Sequence, residues 1–403
     1  MFQTLDDKGS CIGIYKDGEL YFDDIPAELD KTWNYVGFLK GLEVEYASIY
    51  AGGYGLENCC PSHLKGDWER VNKKLRALVN SFIVSKVSLK ENCFFDLTPK
   101  RFLKEYCELK NKICEDVFQN HKRPQEYEFF KDFTEFVYDI GSRELKIDRD
   151  LLATRIYSPQ GKRLWEKVNA GNTKIKYNIF SSVTGRLTTS ENSFPILTLN
   201  SKLRDIIKPT NDWFVSIDLN AAEMRIALAL AGEKQPAGDL HADAIDKVFG
   251  GQVTRAQAKS ITTEWLYDSH SDNAKKWDDS LSKYYNKQKL LTDYWIDGRI
   301  HTPYGRKIEA DRHHAISYLN QSTLIDLFHR QLIKVSKFLE NKSSYIAFTV
   351  HDQVIIDLKD SEKKNLIDII NILSETPYGH FPVKVEIGPD FGNMKKVNIK
   401  AQK

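Results

Sequence analysis

Cysteine is scarce in this chain and is confined to its first third. Six of the 403 residues are cysteines. Their spacings are not those of a zinc site, and no secretory signal peptide is recognisable. We therefore expect reduced thiols in a cytosolic protein. The six are Cys11, Cys59, Cys60, Cys93, Cys107 and Cys114.

Long apolar runs and an excess of charge of one sign are also missing. No stretch is long and apolar enough to cross a membrane, so we expect no membrane partner. The chain has 58 Lys and Arg against 56 Asp and Glu, a net charge of +2. Any nucleic-acid surface must therefore be local. Residues 61–125 are the most basic region, with 14 Lys and Arg against 8 Asp and Glu.

That basic region also carries helical patterns. Apolar residues repeat at helical spacing over 68–83, and Thr98-Pro99 opens a second amphipathic helix. Lys73, Lys74 and Arg76 lie on the outward face of the first helix, where they suit either duplex phosphates or plain solvent. Before them, two apolar runs flank Asp17-Gly18, which predicts a β-hairpin in a small N-terminal unit.

The most informative feature is a pair of carboxylates at the ends of buried strands. Asp218 follows the apolar run 213–217, and Asp352 follows His351 between the apolar runs 345–350 and 354–358. Taken alone, each has an ordinary interpretation as a helix cap or a turn residue. Together they are rigidly held oxygen ligands of the kind that a two-magnesium phosphoryl-transfer site requires.

A third signal lies between the two carboxylates. Thr254 and Gln257 form the start of a capping box. The helix that follows has a series of residues spaced four apart, which lie along one stripe of its surface: Arg255, Lys259, Thr263 and Tyr267. Two cations near a helix N-terminus suit a triphosphate, because the charges and the helix dipole act in the same direction. A solvated basic face is the alternative interpretation.

Four sequence blocks occur in one order along the chain: Thr184-Gly185-Arg186-Leu187, residues 218–225, residues 255–267 and Val350-His351-Asp352. In this order they resemble the family A DNA polymerases, the group of bacterial DNA polymerase I and many phage replicative enzymes. The likeness covers about residues 172–395. Segments 239–250 and 383–388 are similar to the family's connection into the fingers and to its closing strand, and Arg306, Gln321 and Asp326 lie in a segment similar to its helix before the last block.

The resemblance implies an α+β fold shaped as a right hand, with a palm built from an antiparallel sheet plus helices. Fingers and thumb would be helical, and a small β-containing unit would precede them. The implied boundaries are 1–58 for the N-terminal unit, 59–149 for the thumb, 150–233 and 300–403 for the two parts of the palm, and 234–299 for the fingers.

The resemblance also implies two Mg²⁺ ions and a nucleotide site. Asp218, Asp352 and the backbone carbonyl of Leu219 would be the metal ligands. Arg255, Lys259 and His241 would hold the phosphates of the incoming nucleotide. Lys259 would also protonate the leaving pyrophosphate.

Sugar and DNA contacts are implied in the same way. Glu223 beside Tyr267 would occupy the space that a 2′-hydroxyl needs. Arg186 and Gln321 would face the primer-template minor groove, whose acceptors occur in every correct pair. His351 would also contact DNA, and Lys73, Lys74 and Arg76 would contact duplex phosphates.

Several residues depart from the family pattern. Thr263 stands where the family has Phe or Tyr against the nucleotide sugar, Glu264 and Asp268 stand where it has Gly, and Gln353 stands where Glu is usual. His313, Ser317 and Ser322 replace the family's Arg, Asn and Gly. These changes concern sugar selection, template placement and fidelity rather than metal and phosphate chemistry.

Three functions fit these residues. The first is a DNA-directed DNA polymerase that works as a monomer on primer-template DNA and dNTPs in a bacterial host's cytoplasm, without an intrinsic exonuclease. The second is a single-subunit RNA polymerase, which Glu223 and the Thr184-Gly185-Arg186 block disfavour. The third is a catalytically idle DNA-binding scaffold, which the intact Asp218, Asp352, Arg255 and Lys259 disfavour.

Overall fold

In the computed structural model, the described residues are 1–6, 11–89, 91–267 and 271–397, so Asp268 lies outside them. They form two compact units, Met1–Asp139 and Ile140–Lys403. The first unit contains strands β1 (Phe2–Thr4), β2 (Gly13–Lys16), β3 (Glu19–Phe22), β4 (Lys31–Thr32) and β5 (Glu45–Tyr46). Its helices are α1 (Ala47–Tyr50), α2 (Leu56–Cys59), α3 (Lys65–Val84), α4 (Phe94–Leu97), α5 (Lys100–Asn120) and α6 (Tyr127–Ser142), which runs past the unit boundary.

The predicted hairpin near the N-terminus is confirmed. Strands β1, β2 and β3 form an antiparallel sheet in that order. Asp17 and Gly18, between β2 and β3, have φ angles of 50° and 84°. Two successive positive φ angles are the backbone of a type I′ turn, which matches the twist of the flanking strands.

The two predicted helices of the basic region are α3 and α5, with 20 and 21 residues. Trp68 and Val71 of α3 share one apolar cluster with Ile113 and Val117 of α5. This burial stabilises both helices, because amphipathic helices gain most of their stability from packing. The predicted outward cations of α3 are exposed: they are Lys73, Lys74 and Arg76.

One expectation about the cysteines is wrong. Cys11 and Cys93 form a disulfide across a sequence separation of 82 residues, so not all six cysteines are reduced thiols. The pairing is long-range, and no local spacing indicates it. Of the remaining cysteines, Cys60, Cys107 and Cys114 are buried. Burial raises the pKa of the Cys107 thiol to about 12 and that of Cys114 to about 11, so both are poor nucleophiles.

The second unit holds the larger set of elements. Its strands are β6 (Lys146–Ile147), β7 (Tyr177–Asn178), β8 (Thr188–Thr189), β9 (Ile207–Lys208), β10 (Trp213–Leu219), β11 (Trp295–Ile296), β12 (Arg299–His301), β13 (Lys307–Glu309), β14 (Tyr345–Val350), β15 (Gln353–Leu358), β16 (Glu375–Thr376), β17 (Gly379–His380), β18 (Val383–Gly388) and β19 (Lys395–Val397). Its helices are α7 (Arg149–Ala153), α8 (Pro159–Asn169), α9 (Ala222–Ala231), α10 (Leu240–Lys247), α11 (Arg255–Leu266), α12 (Asp272–Lys276), α13 (Asp278–Tyr284), α14 (Lys287–Tyr294), α15 (Ala315–Leu339) and α16 (Leu366–Ser374).

A five-stranded antiparallel sheet organises this unit, with strand order β14-β15-β10-β18-β19. β10 lies in the middle, and its residues 214–217 are all buried. Such a run of buried positions is typical of a strand covered on both faces. α16 packs against β10 and β18, while α15 packs against β14 and α9.

Helix α15 is the longest element described, with 25 residues that are buried along most of its length. Asp326 on this helix is only 3% exposed and holds the guanidinium of Arg306 through two hydrogen bonds of 2.6 and 2.7 Å. A two-point carboxylate contact fixes the plane of an arginine side chain. Arg306 is therefore rigidly held.

The predicted mixture of helices and antiparallel strands is confirmed. The palm, fingers and thumb and their boundaries stay predictions. Within the described part of the chain, no helix is both long and apolar enough to span a membrane.

Candidate active site

The two predicted metal-binding carboxylates meet at one edge of the five-stranded sheet. In the antiparallel register of β10 and β15, Asp218 lies opposite Gln353, the residue directly after Asp352. Val350 pairs with Gln353, so His351 and Asp352 form a two-residue turn between β14 and β15. His351 has a φ of 56°, as such a turn requires. The fold thus brings together two residues 134 positions apart in sequence.

The negative charge around Asp218 suits a bound cation. Its pKa is raised to about 6, first by burial and then by the negative charges of Asp352 and Glu386, which Lys384 and Lys259 partly offset. Like charges raise a carboxyl pKa because both cannot be ionised cheaply at short range. A divalent cation would remove this cost, so these oxygen ligands suit Mg²⁺.

Sequence reasoning missed two residues beside this pair. Lys384 on β18 lies directly opposite Asp218, and its Nζ is 2.8 Å from Oε1 of Glu386. The alternation of Val383-Lys-Val-Glu already indicated a strand with two charged residues on one face. The register that sets them beside Asp218 is visible only in the fold.

Three predicted phosphate ligands surround the start of α11. The predicted capping box is confirmed, because Thr254 and Gln257 exchange both hydrogen bonds. Lys259 is exposed one turn further on. His241 on α10 is buried, and burial lowers its pKa, an effect that the charges of Arg255 and Lys259 reinforce. The imidazole is therefore neutral near pH 7, and its Nδ1 has no hydrogen-bond partner among the described residues.

Arg255 has a protein partner that sequence reasoning missed. Its Nε lies 2.8 Å from Oδ2 of Asp239, and Asp239 also caps α10 by accepting from the Ala242 amide at 3.0 Å. The side chains of Arg255 and Asp239 are 52% and 31% exposed. A pair this exposed contributes little stability. An N-cap Asp just before His241 was the sequence signal that could have indicated it.

Glu223 occupies the first turn of α9 and is held from two sides. Nη2 of Arg186 lies 2.8 Å from Oε1 of Glu223, and the Tyr267 hydroxyl donates to Oε2 at 2.9 Å. Burial raises the pKa of Glu223, and its hydrogen bond with Tyr267 and the charge of Arg186 oppose that rise. The structure thus brings Glu223 and Tyr267 together as predicted. It joins Arg186 to them, which was not predicted.

Trp265 does not fill the position of Thr263. The Thr263 hydroxyl donates to the Lys259 carbonyl at 2.8 Å. Trp265, two residues on, is buried, donates to Asp278 at 2.7 Å and stacks on Tyr285 with ring centroids 5.3 Å apart. Trp265 is therefore fixed in the core and does not replace the missing aromatic residue.

Two other departures have local partners. Glu264 accepts from the Ser260 hydroxyl at 2.8 Å and from the Ser271 hydroxyl at 2.6 Å, which ties α11 to the start of α12. Gln353 donates to the Ser216 hydroxyl of β10. Both side chains thus form hydrogen bonds that connect neighbouring elements of the second unit.

The predicted DNA contacts have diverse surroundings. Gln321 is buried on α15, while His351 is exposed at the β14–β15 turn. On α3 in the first unit, Nζ of Lys74 lies 3.1 Å from Oε2 of Glu105 on α5. Lys73 and Arg76 are exposed on the same helix.

Known proteins similar to this chain are DNA polymerases. No model of a known protein family matches it. The DNA polymerase of Mycobacterium phage D29 is 26% identical over 200 residues, 39% of this chain and 32% of that enzyme. The thermostable DNA polymerase I of Thermus aquaticus is 22% identical over 270 residues, 55% of this chain and 32% of that enzyme. The chain is thus similar in sequence to part of these DNA polymerases.

The fold is also similar to that of a polymerase domain. The chain matches the polymerase domain of Pol1 from M. smegmatis, solved with DNA primer-template and dNTP, with a TM-score of 0.57 and 12% identity. The match covers 72% of this chain and 76% of that one. The predicted resemblance to DNA polymerase I is thus confirmed. The chain spans about a third of the length of the curated polymerases it matches.

Proposed function

We propose that this chain is a template-directed DNA polymerase that adds dNTPs to a primer 3′ end. The observation that carries the proposal is the placement of Asp218 and Asp352 at one edge of the sheet. Lys259 is near enough for its positive charge to lower the pKa of Asp218. Phosphoryl transfer depends mainly on positioning and on charge stabilisation. The two carboxylates and the positive charge of Lys259, placed together, supply both positioning and charge stabilisation.

Two Mg²⁺ ions would be held by Asp218, Asp352 and the carbonyl of Leu219 at the end of β10. The raised pKa of Asp218 beside Asp352 supports this assignment, because crowded negative charge favours a cation. When bound, the ions would lower the pKa of the primer 3′-hydroxyl and neutralise phosphate charge.

The residues of α10 and α11 would hold the triphosphate. Lys259 would contact the phosphates and donate a proton to the departing pyrophosphate oxygen. Arg255 would exchange its exposed partner Asp239 for a phosphate, which carries more negative charge. The neutral imidazole of His241 would donate one further hydrogen bond.

Glu223 would reject ribonucleotides. A largely buried carboxylate fixed by Tyr267 and Arg186 cannot move aside at low cost for a 2′-hydroxyl. Arg186, Gln321 and His351 would contact the primer-template. Lys73, Lys74 and Arg76 of α3 would contact duplex phosphates.

This proposal includes a subdivision of the chain. The five-stranded sheet with α15 and α16 would form the palm, α10 to α14 the fingers, and α3 with α5 the thumb. The chain would act as a monomer in the cytoplasm of a bacterial host, in keeping with its phage relatives, and without proofreading.

Primer extension tests the proposal. The wild type should extend a primer-template with dNTPs, and Asp218→Asn or Asp352→Asn should lower turnover more than tenfold, about 1.4 kcal/mol of transition-state stabilisation. Asp360→Asn, an exposed carboxylate outside the site, is the matched control and should extend normally.

Each alternative function has its own outcome in this assay. Efficient extension with ribonucleotides would indicate an RNA polymerase. Duplex binding without any extension would indicate an idle scaffold. More than about a tenth of wild-type turnover in either Asn variant would contradict the metal assignment.

A further inference from the structure

The Thr184-Gly185-Arg186 block meets Glu223 through a direct ion pair. Nη2 of Arg186 lies 2.8 Å from Oε1 of Glu223. The Tyr267 hydroxyl lies 2.9 Å from Oε2 and 3.2 Å from Oε1 of the same carboxylate. Both oxygens of Glu223 are therefore engaged, and its carboxylate plane is fixed from two directions.

The burial of the two partners differs. The Glu223 side chain is 14% exposed and that of Arg186 is 39% exposed. A largely buried carboxylate needs a countercharge or hydrogen-bond donors to stay ionised and in place. Tyr267 supplies a neutral donor, and Arg186 supplies the positive charge.

The backbone that carries Arg186 packs closely against Arg306. Gly185 has a φ of 83°, and a Cβ there would lie only 2.7 Å from Nη2 of Arg306. Arg306 cannot easily move aside, because Asp326 holds it through two hydrogen bonds. The Ser182 hydroxyl donates to the Arg186 carbonyl at 2.8 Å and closes the turn. These contacts constrain the backbone from which the Arg186 side chain extends.

We propose that Arg186 is a positioning residue for sugar selection, which holds the Glu223 carboxylate in the orientation that excludes a 2′-hydroxyl. The inference rests on the proposed polymerase function and extends it to a second determinant of nucleotide class. Nε of Arg186 is buried and has no hydrogen-bond partner among the described residues. The guanidinium therefore retains donor capacity beyond the contact with Glu223, and a primer contact is compatible with this role.

The test is the ratio of kcat/KM for a dNTP to kcat/KM for the matching rNTP. A primer contact acts on both nucleotides alike and leaves this ratio unchanged. Loss of the Glu223 orientation lowers the ratio, because a displaced carboxylate leaves room for the 2′-hydroxyl. Arg186→Ala should lower it roughly tenfold or more, as expected for the loss of a charge-assisted hydrogen bond.

A double-mutant cycle shows whether Arg186 acts through Glu223. Glu223→Ala alone should remove most discrimination, and adding Arg186→Ala should change the ratio no further. Arg186→Lys should restore part of the ratio, because it keeps the charge and one donor. Arg299→Ala, which removes an exposed arginine paired with Glu309 at 3.1 Å, is the control and should leave the ratio unchanged.

Failures of the inference and of the function are distinguishable. Normal dNTP extension with an unchanged ratio in Arg186→Ala, or in Arg186→Gln if the Ala variant does not fold, overturns the inference alone. A further fall of the ratio in the Glu223→Ala background overturns it as well. A wild type that extends with neither nucleotide class overturns the inference together with the proposed function.

Discussion

Asp218 lies where the buried part of β10 ends, so its carboxyl group has lost much of its water and faces other negative charges. Its folded-state pKa is raised to about 6, whereas an unfolded Asp titrates near about 3.9. The protonated group favours folding, and this contribution is complete below about pH 4 and lost as the pH rises through about 6. At neutral pH the carboxylate therefore lowers the stability of the metal-free protein.

Asp218→Asn should separate stability from activity. We expect no primer extension, together with a free energy of unfolding at pH 7.5 that is higher by on the order of 1 kcal/mol without Mg²⁺. Thermal unfolding at pH 5 and pH 7.5 checks this, and the gain should shrink at pH 5. Asp360→Asn should change neither value. An Asn variant that melts below the wild type at pH 7.5 would contradict the assigned charge environment.

Thr263 is the departure with the clearest consequence for nucleotide binding. Its hydroxyl is bonded to the Lys259 carbonyl, and Trp265 is fixed elsewhere. We expect Thr263→Tyr to lower the KM for dNTPs, because an added sugar contact contributes roughly 1–3 kcal/mol by analogy with base stacking. The use of dideoxynucleotides should change as well, while Glu223 still rejects ribonucleotides.

Single-nucleotide incorporation with dNTP, ddNTP and rNTP on both proteins measures these three effects. An unchanged dNTP KM together with an unchanged ddNTP preference would show that Thr263 does not face the sugar.

At the scale of elements, α10 and α11 are linked by Asp239, which caps one helix and binds Arg255 of the other. Asp239→Ser keeps a capping oxygen but removes the negative charge. We expect the freed Arg255 to lower the dNTP KM by up to about fivefold, the value of an exposed ion pair. Steady-state kinetics measure this.

Asp239→Ala is the matched variant for the cap. It frees Arg255 in the same way but also costs about 1 kcal/mol of helix stability, which thermal unfolding detects. A higher KM in the Ser variant would mean that Asp239 orients Arg255 for the phosphates rather than competing with them.

Elements with local signals were predictable from sequence. The capping box fixed the start of α11, Asp17-Gly18 marked the first hairpin, and the apolar run before Asp218 gave β10. The contacts that complete the site have no such local signal. Lys384 reaches Asp218 through strand register, and Arg186 reaches Glu223 through the packing of a turn against a helix. Such pairings depend on the whole fold, so no local pattern encodes them.

At the scale of the whole molecule, the Cys11–Cys93 disulfide belongs to the first unit. A bond that closes a loop of 82 residues stabilises a fold by up to about 4 kcal/mol in the chain-entropy model. We expect Cys11→Ser to lower the unfolding temperature of the first unit and to leave that of the second unchanged. Calorimetry with and without a reductant measures this, with Cys59→Ser as the control.

Reductant should lower the wild type to the level of the Cys11→Ser variant and should not affect that variant. An identical wild-type transition with and without reductant would show that the bond does not contribute to the stability of the first unit.

The central place of β10 has one more consequence. Its backbone amides lie between two bonded neighbours, β15 and β18, its residues 214–217 are buried, and α16 packs against it. Hydrogen exchange at such amides requires the widest opening of a fold. Deuterium should therefore enter the strand that carries Asp218 among the last segments of its unit, long after helix ends and loops have exchanged. The carboxylate proposed for catalysis would keep its place through every smaller fluctuation of the protein.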